Sequence, residues 1–231
     1  MNSRMYLMIA LVTAVIIIGA IVTFMMQASR PGPGSSATKA LAAVEVRSYQ
    51  GQDLSSISDV PENAIIGTQH INGTDYRLTI TGLTYTTTVL TYGDILNNHR
   101  HYTKLVTLDC VEGWDATILW EGVLVRDLIH EAGVNPRANT VIFHATDGYT
   151  TSFPLGYVMD NDILMAYRMN NVTIDAEHGY PFRLVAEDKW GYKWIKWIDR
   201  IELSDDPNYK GYWEQREYSN SGNLTGSSFS I

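Results

Sequence analysis

Residues 163–185 read ILMAYRMNNVTIDAEHGYPFRLV, and residues 189–197 follow with KWGYKWIKW. The opening run, Ile163 to Met169, fits either a short helix or a buried strand, since periodicity does not separate the two over so few apolar residues. Phe182 to Ala186 reads as a strand. Between and beyond them, Arg183, Lys189, Lys193 and Lys196 concentrate positive charge in an otherwise acidic chain. Cations set among glycines and exposed backbone N–H groups suit a phosphate or another anion. The same pattern also describes a solvated strand face interleaved with core tryptophans. Trp190, Trp194 and Trp197 fit one face of a helix as well, so spacing leaves these readings open.

Outward from this block, strand patterns dominate. Tyr76 to Leu83 (YRLTITGL) alternates apolar and polar residues, and Tyr85 to Leu90 is a further extended piece. Leu105 to Val111 (LVTLDCV) alternates too, which puts Cys110 at or just past a strand end. Gly122 to Ala132 places Leu124, Leu128 and Ile129 at helical spacing before Gly133, a favoured helix stop. VIFHA and YTTSFPL are strand-like and joined by Thr146-Asp147-Gly148, a plausible turn. Trp194 to Leu203 ends in alternation through Ile201 and Leu203. No repeat of solenoid period is visible.

The chain has 231 residues, enough for one substantial core. With 25 Asp plus Glu against 17 Lys plus Arg, its formal charge of -8 argues against sequence-independent nucleic-acid binding. Met5 to Met26 is an uncharged apolar run, roughly 33 Å long as a helix, which matches a hydrocarbon core of roughly 30 Å. It is longer than the apolar stretch of a usual secretory signal and reads as an uncleaved anchor. The Pro-, Gly- and Ser-rich stretch after it reads as a flexible spacer. The organisation expected is an anchor or signal over residues 1–28, a linker over 29–42, one domain over 43–218 and a mobile polar tail over 219–231. Spacer composition and three N-x-[ST] triplets, at Asn72, Asn171 and Asn223, favour a single-pass cell-membrane protein with its domain on the outer face.

The motifs GxSxG, HExxH, GxGxxG and GxxxxGK are absent, which closes the usual motif routes to serine hydrolases, zinc proteases, dinucleotide enzymes and P-loop enzymes. The single cysteine excludes an internal disulfide and the CxxC pairs of zinc ribbons and thioredoxins. A lone cysteine in an apolar strand is most often an inert core residue. Asp109 and Glu112 beside it disfavour a free thiolate, whereas coordination to a metal deprotonates sulfur even near acids.

From Tyr76 to Tyr218 the chain resembles the molybdopterin-binding domain of the sulfite oxidase family and its bacterial reductase relatives. YRLTITGL looks like the family's opening strand, and TLDC like its strand ending in the molybdenum-ligating cysteine. WEGVLVRDLIHEAGV is similar to the following helix, and ATDGYTTSFPL to the next hairpin. The AYxMN segment followed by HGxPxR matches a long family signature. KWIKWIDRIEL resembles a cofactor-holding block, and YWEQREY the closing WxxRxY. The resemblance implies an α+β fold of mixed, mostly antiparallel sheets with few helices, here preceded by one N-terminal transmembrane helix.

It also implies an oxidoreductase carrying Mo-molybdopterin, a small-molecule substrate and an external electron donor or acceptor. By position, Cys110 would ligate molybdenum. His178 and Arg183 would contact the pterin and its phosphate, with Trp194, Ile195 and Lys196 on the same anion and Asp147 on the pterin. Tyr218 falls on the family's active-site tyrosine. Departures bear on substrate: Val-Glu-Gly-Trp-Asp follows Cys110 where sulfite oxidases place paired arginines, and Glu112 and Asp115 would repel sulfite. CVEGW looks more like the CVEAW of the reductase branch, so oxygen-atom transfer or reduction on a neutral or cationic substrate is expected. The RNH segment that also grips the pterin is not evident, with His70 only a loose substitute. The alternative is a cofactor-free binding or structural module that keeps the fold.

Overall fold

The computed structural model describes residues 35–230. The expected membrane helix within residues 5–26 lies outside the described residues, and among those described no helix is long and apolar enough to cross a membrane.

The chain begins with helix α1 (Ser36–Ala42), whose cap is Ser35, and a small hairpin of β1 (Ser48–Tyr49) and β2 (Gln52–Asp53). β3 (Arg77–Gly82), β4 (Thr88–Thr91), helix α2 (Tyr92–Asn98), β5 (His101–Asp109) and β6 (Asp115–Leu124) follow. Helix α3 (Val125–Ala132) leads to the β7 (Thr140–Ala145) and β8 (Thr150–Pro154) hairpin and helix α4 (Leu155–Asp160). β9 (Leu164–Met169), β10 (Val172–Thr173), β11 (Arg183–Val185) and β12 (Ile198–Ser204) complete the strands.

Two sheets carry the core. One has the order β10-β9-β6-β5, with β11 also pairing β9, and the other β4-β3-β12-β7-β8. Every pairing is antiparallel except β12 with β3. The mixed, mostly antiparallel α+β architecture with short helices therefore agrees with the expectation. Leu78, Ile80, Ile118, Phe143, Leu164 and Ile201 bury completely or nearly so in the core these strands share. Burial of such aliphatic side chains stabilises by roughly 1.5–3 kcal/mol each before conformational entropy is counted.

Three sequence expectations change in detail, and the alternative left open at residues 163–169 is resolved. Of that run Leu164–Met169 is strand rather than helix, flanked by β6 on one side and β11 on the other. Gly122 to Leu124, assigned to a helix, instead extends β6, because Gly122 opposes Ala166 so closely that a Cβ there would meet the Met165 carbonyl oxygen at 2.4 Å. The expected linker is helical from Ser36, and Thr38 is buried. The expected mobile tail packs back: Trp190 N–H donates to Gly222 O (2.8 Å), and Ser219 N–H to Ser228 O (2.9 Å).

Candidate active site

β5 delivers its last residue, Asp109, to one edge of a cavity of about 400 Å³, and Cys110 follows at once in a turn closed by Gly113 N–H on Cys110 O (3.0 Å). Gly113 takes φ +88°, a conformation that costs a side chain strain. Gly191 backs the same turn, since a Cβ on it would sit 3.2 Å from Asp109 O. Cys110 lines the cavity although little of it is exposed. Burial pushes its thiol up to about 11, with the Glu112 carboxylate adding to the effect. Glu112 Oε2 lies 3.9 Å from Cys110 Sγ and accepts from Trp114 Nε1 (3.1 Å) and Asn63 Nδ2 (3.2 Å).

Across the cavity, residues 175–179 form a loop between β10 and β11. Its successive carbonyls are each claimed by a different side chain: Trp197 Nε1 donates to Ala176 O (2.8 Å), Lys196 Nζ to Glu177 O (2.8 Å) and Arg183 NH1 to His178 O (3.2 Å). Gly179 takes φ +112°, and a Cβ there would press within about 3 Å of the Cβ atoms of Lys196 and Arg183. His178 is clamped, with Nδ1 on Asp175 Oδ1 (2.6 Å) and Nε2 on Val60 O (3.1 Å). Both ring nitrogens are thus engaged within the protein. Burial opposes ionisation of Asp175, but hydrogen bonds from His178 and Thr38 outweigh it and hold the carboxyl below its ordinary value.

Arg183, on β11, is buried with its guanidinium over the Trp120 ring (5.0 Å), and its Nε has no hydrogen-bond partner. Burial lowers it to about 10. Lys196 sits over Trp197 (4.2 Å), and burial with the neighbouring Arg183 charge brings it to about 7. An unpartnered buried donor costs about 1–3 kcal/mol, so a site that keeps one beside a second, half-buried cation suits an anion. Asp147, in the β7–β8 turn, accepts from Tyr149 N–H (2.9 Å), and burial raises its carboxyl.

All eight residues singled out in the sequence line this one cavity: Cys110, Asp147, His178, Arg183, Trp194, Ile195, Lys196 and Tyr218. Trp194 uses its indole donor on Lys189 O (2.9 Å), so it meets the cavity as an apolar wall. Tyr218 packs between Tyr192 and Trp213, each 5.1 Å away by ring centroid. His70 is exposed and does not line the cavity. Two cations of the basic block also lie elsewhere. Lys193 is fully buried on Glu214 Oε1 (2.6 Å), Ser152 O (2.7 Å) and Asn220 O (3.0 Å), while Lys189 holds Asn223 and the Tyr157 ring. Sequence reading missed the aromatic wall of Trp114, Tyr149, Tyr192, Tyr212 and Trp213, and the 60–65 loop. Only the richness in Trp and Tyr near both termini of the block hinted at it.

The donor set suits a phosphorylated ligand that brings its own metal donors. Among the described residues no three His, Cys, Asp or Glu side chains gather into a metal site.

A family model described as oxidoreductase molybdopterin binding domain matches residues 65–213. The uncharacterized oxidoreductase YuiH of Bacillus subtilis is 33% identical over 146 residues, covering 63% of this chain and 73% of its own length. Mitochondrial sulfite oxidase of Drosophila melanogaster is 32% identical over 108 residues, covering 43% of this chain and 19% of that protein. In the crystal structure of the sulfane dehydrogenase SoxCD from Paracoccus pantotrophus, a chain superposes with a TM-score of 0.63 at 28% identity, over 71% of this chain and 46% of that one. The chain therefore spans most of YuiH but less than half of the other two.

Proposed function

The chain belongs to the oxidoreductase molybdopterin binding domain family, and on that premise we propose that it is a molybdenum–molybdopterin oxidoreductase with Cys110 as the protein ligand of the metal. One observation carries the reading: Cys110 faces the same cavity as a buried arginine with an unpartnered Nε and a second, half-buried cation, Lys196. Arg183 and Lys196 would hold the pterin phosphate. Their attachments to the Glu177 and His178 carbonyls fix both heads before the ligand arrives, so little side-chain entropy is lost on binding. Trp194 and Ile195 exclude water from this end, and Asp147 can accept from a pterin N–H. When bound, the group supplies two-electron redox chemistry with exchange of an oxygen atom.

What the chain contributes at the reacting end is charge and shape. Glu112 and Trp114 border the cavity beside Cys110, with no arginine next to the cysteine, which disfavours a sulfite dianion and suits a neutral or cationic substrate. Tyr218, which lines the cavity, would offer its hydroxyl to a substrate oxygen. We further propose that the apolar run of residues 5–26 tethers the domain to the outer face of the cell membrane, and that an external protein supplies or removes electrons.

The test is elemental analysis and pterin fluorescence of the full chain expressed in a host that makes molybdopterin. Near-stoichiometric molybdenum is expected, with loss of the metal and of thiolate-to-metal absorption in Cys110→Ser. Molybdenum far below stoichiometric in the wild type, unchanged by the substitution, would leave a cofactor-free module instead.

A further inference from the structure

The segment between residues 35 and 60 touches the cofactor-facing loop at both of its ends. At the first end, Thr38 is 1% exposed, and its Oγ1 lies 2.5 Å from Asp175 Oδ2 and 2.7 Å from Glu177 Oε2, one hydroxyl proton serving two carboxylates. Ser35 N–H donates to the Glu177 carboxylate as well (3.2 Å). At the second end, Val60 O receives His178 Nε2. Midway, the buried Glu45 carboxylate accepts from Ile57 N–H (3.1 Å) and Asn170 Nδ2 (2.7 Å), tying the segment to the end of β9.

The loop held this way is the one whose carbonyls carry Lys196 and Arg183. Asp175 orients His178 through two hydrogen bonds, to its ring and to its backbone N–H. Glu177 and His178 then offer their carbonyls to the two cations. A change at Thr38 is transmitted through two carboxylates and one short loop to the groups assigned to the phosphate.

We propose that Thr38 is a positioning residue for the anion cradle: by pinning Asp175 and Glu177 it sets the loop from which Arg183 and Lys196 are aimed into the cavity. The proposal rests on the cradle reading above. It makes the helix that opens the described residues part of the cofactor site, although Thr38 itself does not line the cavity.

The experiment uses the full chain from a host unable to make molybdopterin, with sulfate as the phosphate probe, titrated calorimetrically at fixed pH. Thr38→Val keeps the side-chain volume and removes the hydroxyl, and Thr38→Ser restores it. Weakening on the order of tenfold is expected in Thr38→Val, the size seen when a partner that orients a ligating group is removed. Thr38→Ser should bind as the wild type does. A shift of the His178 ring nitrogen resonances in Thr38→Val, reversed in Thr38→Ser, is the readout that simple loss of stability would not produce. If Thr38→Val does not fold, Glu177→Gln, which keeps the backbone carbonyl for Lys196, must show the same weakening. Affinity lost in Arg183→Ala but unmoved in Thr38→Val or Glu177→Gln overturns the positioning role of Thr38 alone. Affinity unmoved even in Arg183→Ala overturns the cradle reading and the proposal with it.

Discussion

Lys196 shows how one side chain can be chemically unlike its type. Burial, and then Arg183, bring it to about 7, because two cations share one dry region with only Glu62, Asp147 and Asp175 opposing them. The unfolded chain holds the proton more tightly, so the unliganded protein gains stability as pH rises from about 7 toward the ordinary lysine range. Anion capture runs the other way, since it needs the charged form. Sulfate, whose own charge is constant in this range, should bind the unloaded protein several-fold more weakly as pH passes upward through about 7, and Lys196→Met should flatten the profile. Calorimetric titration at a series of pH values measures both. The identity of these residues was legible in the sequence, because HGYPFR and KWIKW are short, unusual strings. What each group does there was not. Nothing in the order of residues distinguishes Lys196, which faces the cavity, from Lys193 three positions earlier, whose ammonium is spent on Glu214.

That Lys193–Glu214 pair belongs to the scale of elements. It joins the short 3-10 helix Gly191–Lys193 to the closing 3-10 helix Glu214–Arg216, the two pieces that carry Tyr192 and Tyr218 to the cavity. Both side chains are fully buried, and Glu214 also accepts from Thr151 Oγ1 (2.7 Å). Removing one partner strands a charge, so Lys193→Met should cost about 3–5 kcal/mol in urea denaturation, and adding Glu214→Leu should recover much of it. Element reading from sequence succeeded where alternation was clean, as in β3 and the β7–β8 hairpin. It failed at the β6–α3 junction, because Leu124, Leu128 and Ile129 keep helical spacing whether or not the strand continues through Gly122. The close approach of β9 decides that point, and it is a tertiary fact.

For the molecule as a whole, the sheets bring residues 110, 147, 178, 196 and 218 to one cavity from five separate parts of the chain. A ligand that binds there binds only the folded state. Loading should therefore raise the unfolding free energy by about 4 kcal/mol at a thousandfold excess over the dissociation constant, read as a higher Tm for loaded than for unloaded protein. In Cys110→Ser the difference should shrink. The convergence itself was foreseeable only through family resemblance, since no local pattern says which distant segments meet. The N-terminal boundary was misjudged for a related reason. A stretch rich in serine and alanine looks unstructured until the carboxylates it caps are seen, and those lie about 140 residues away. Anyone shortening this protein for expression meets the result directly. A version starting at residue 43 would leave Asp175 and Glu177 facing water with their hydroxyl peg gone, so the cut belongs upstream of Ser35.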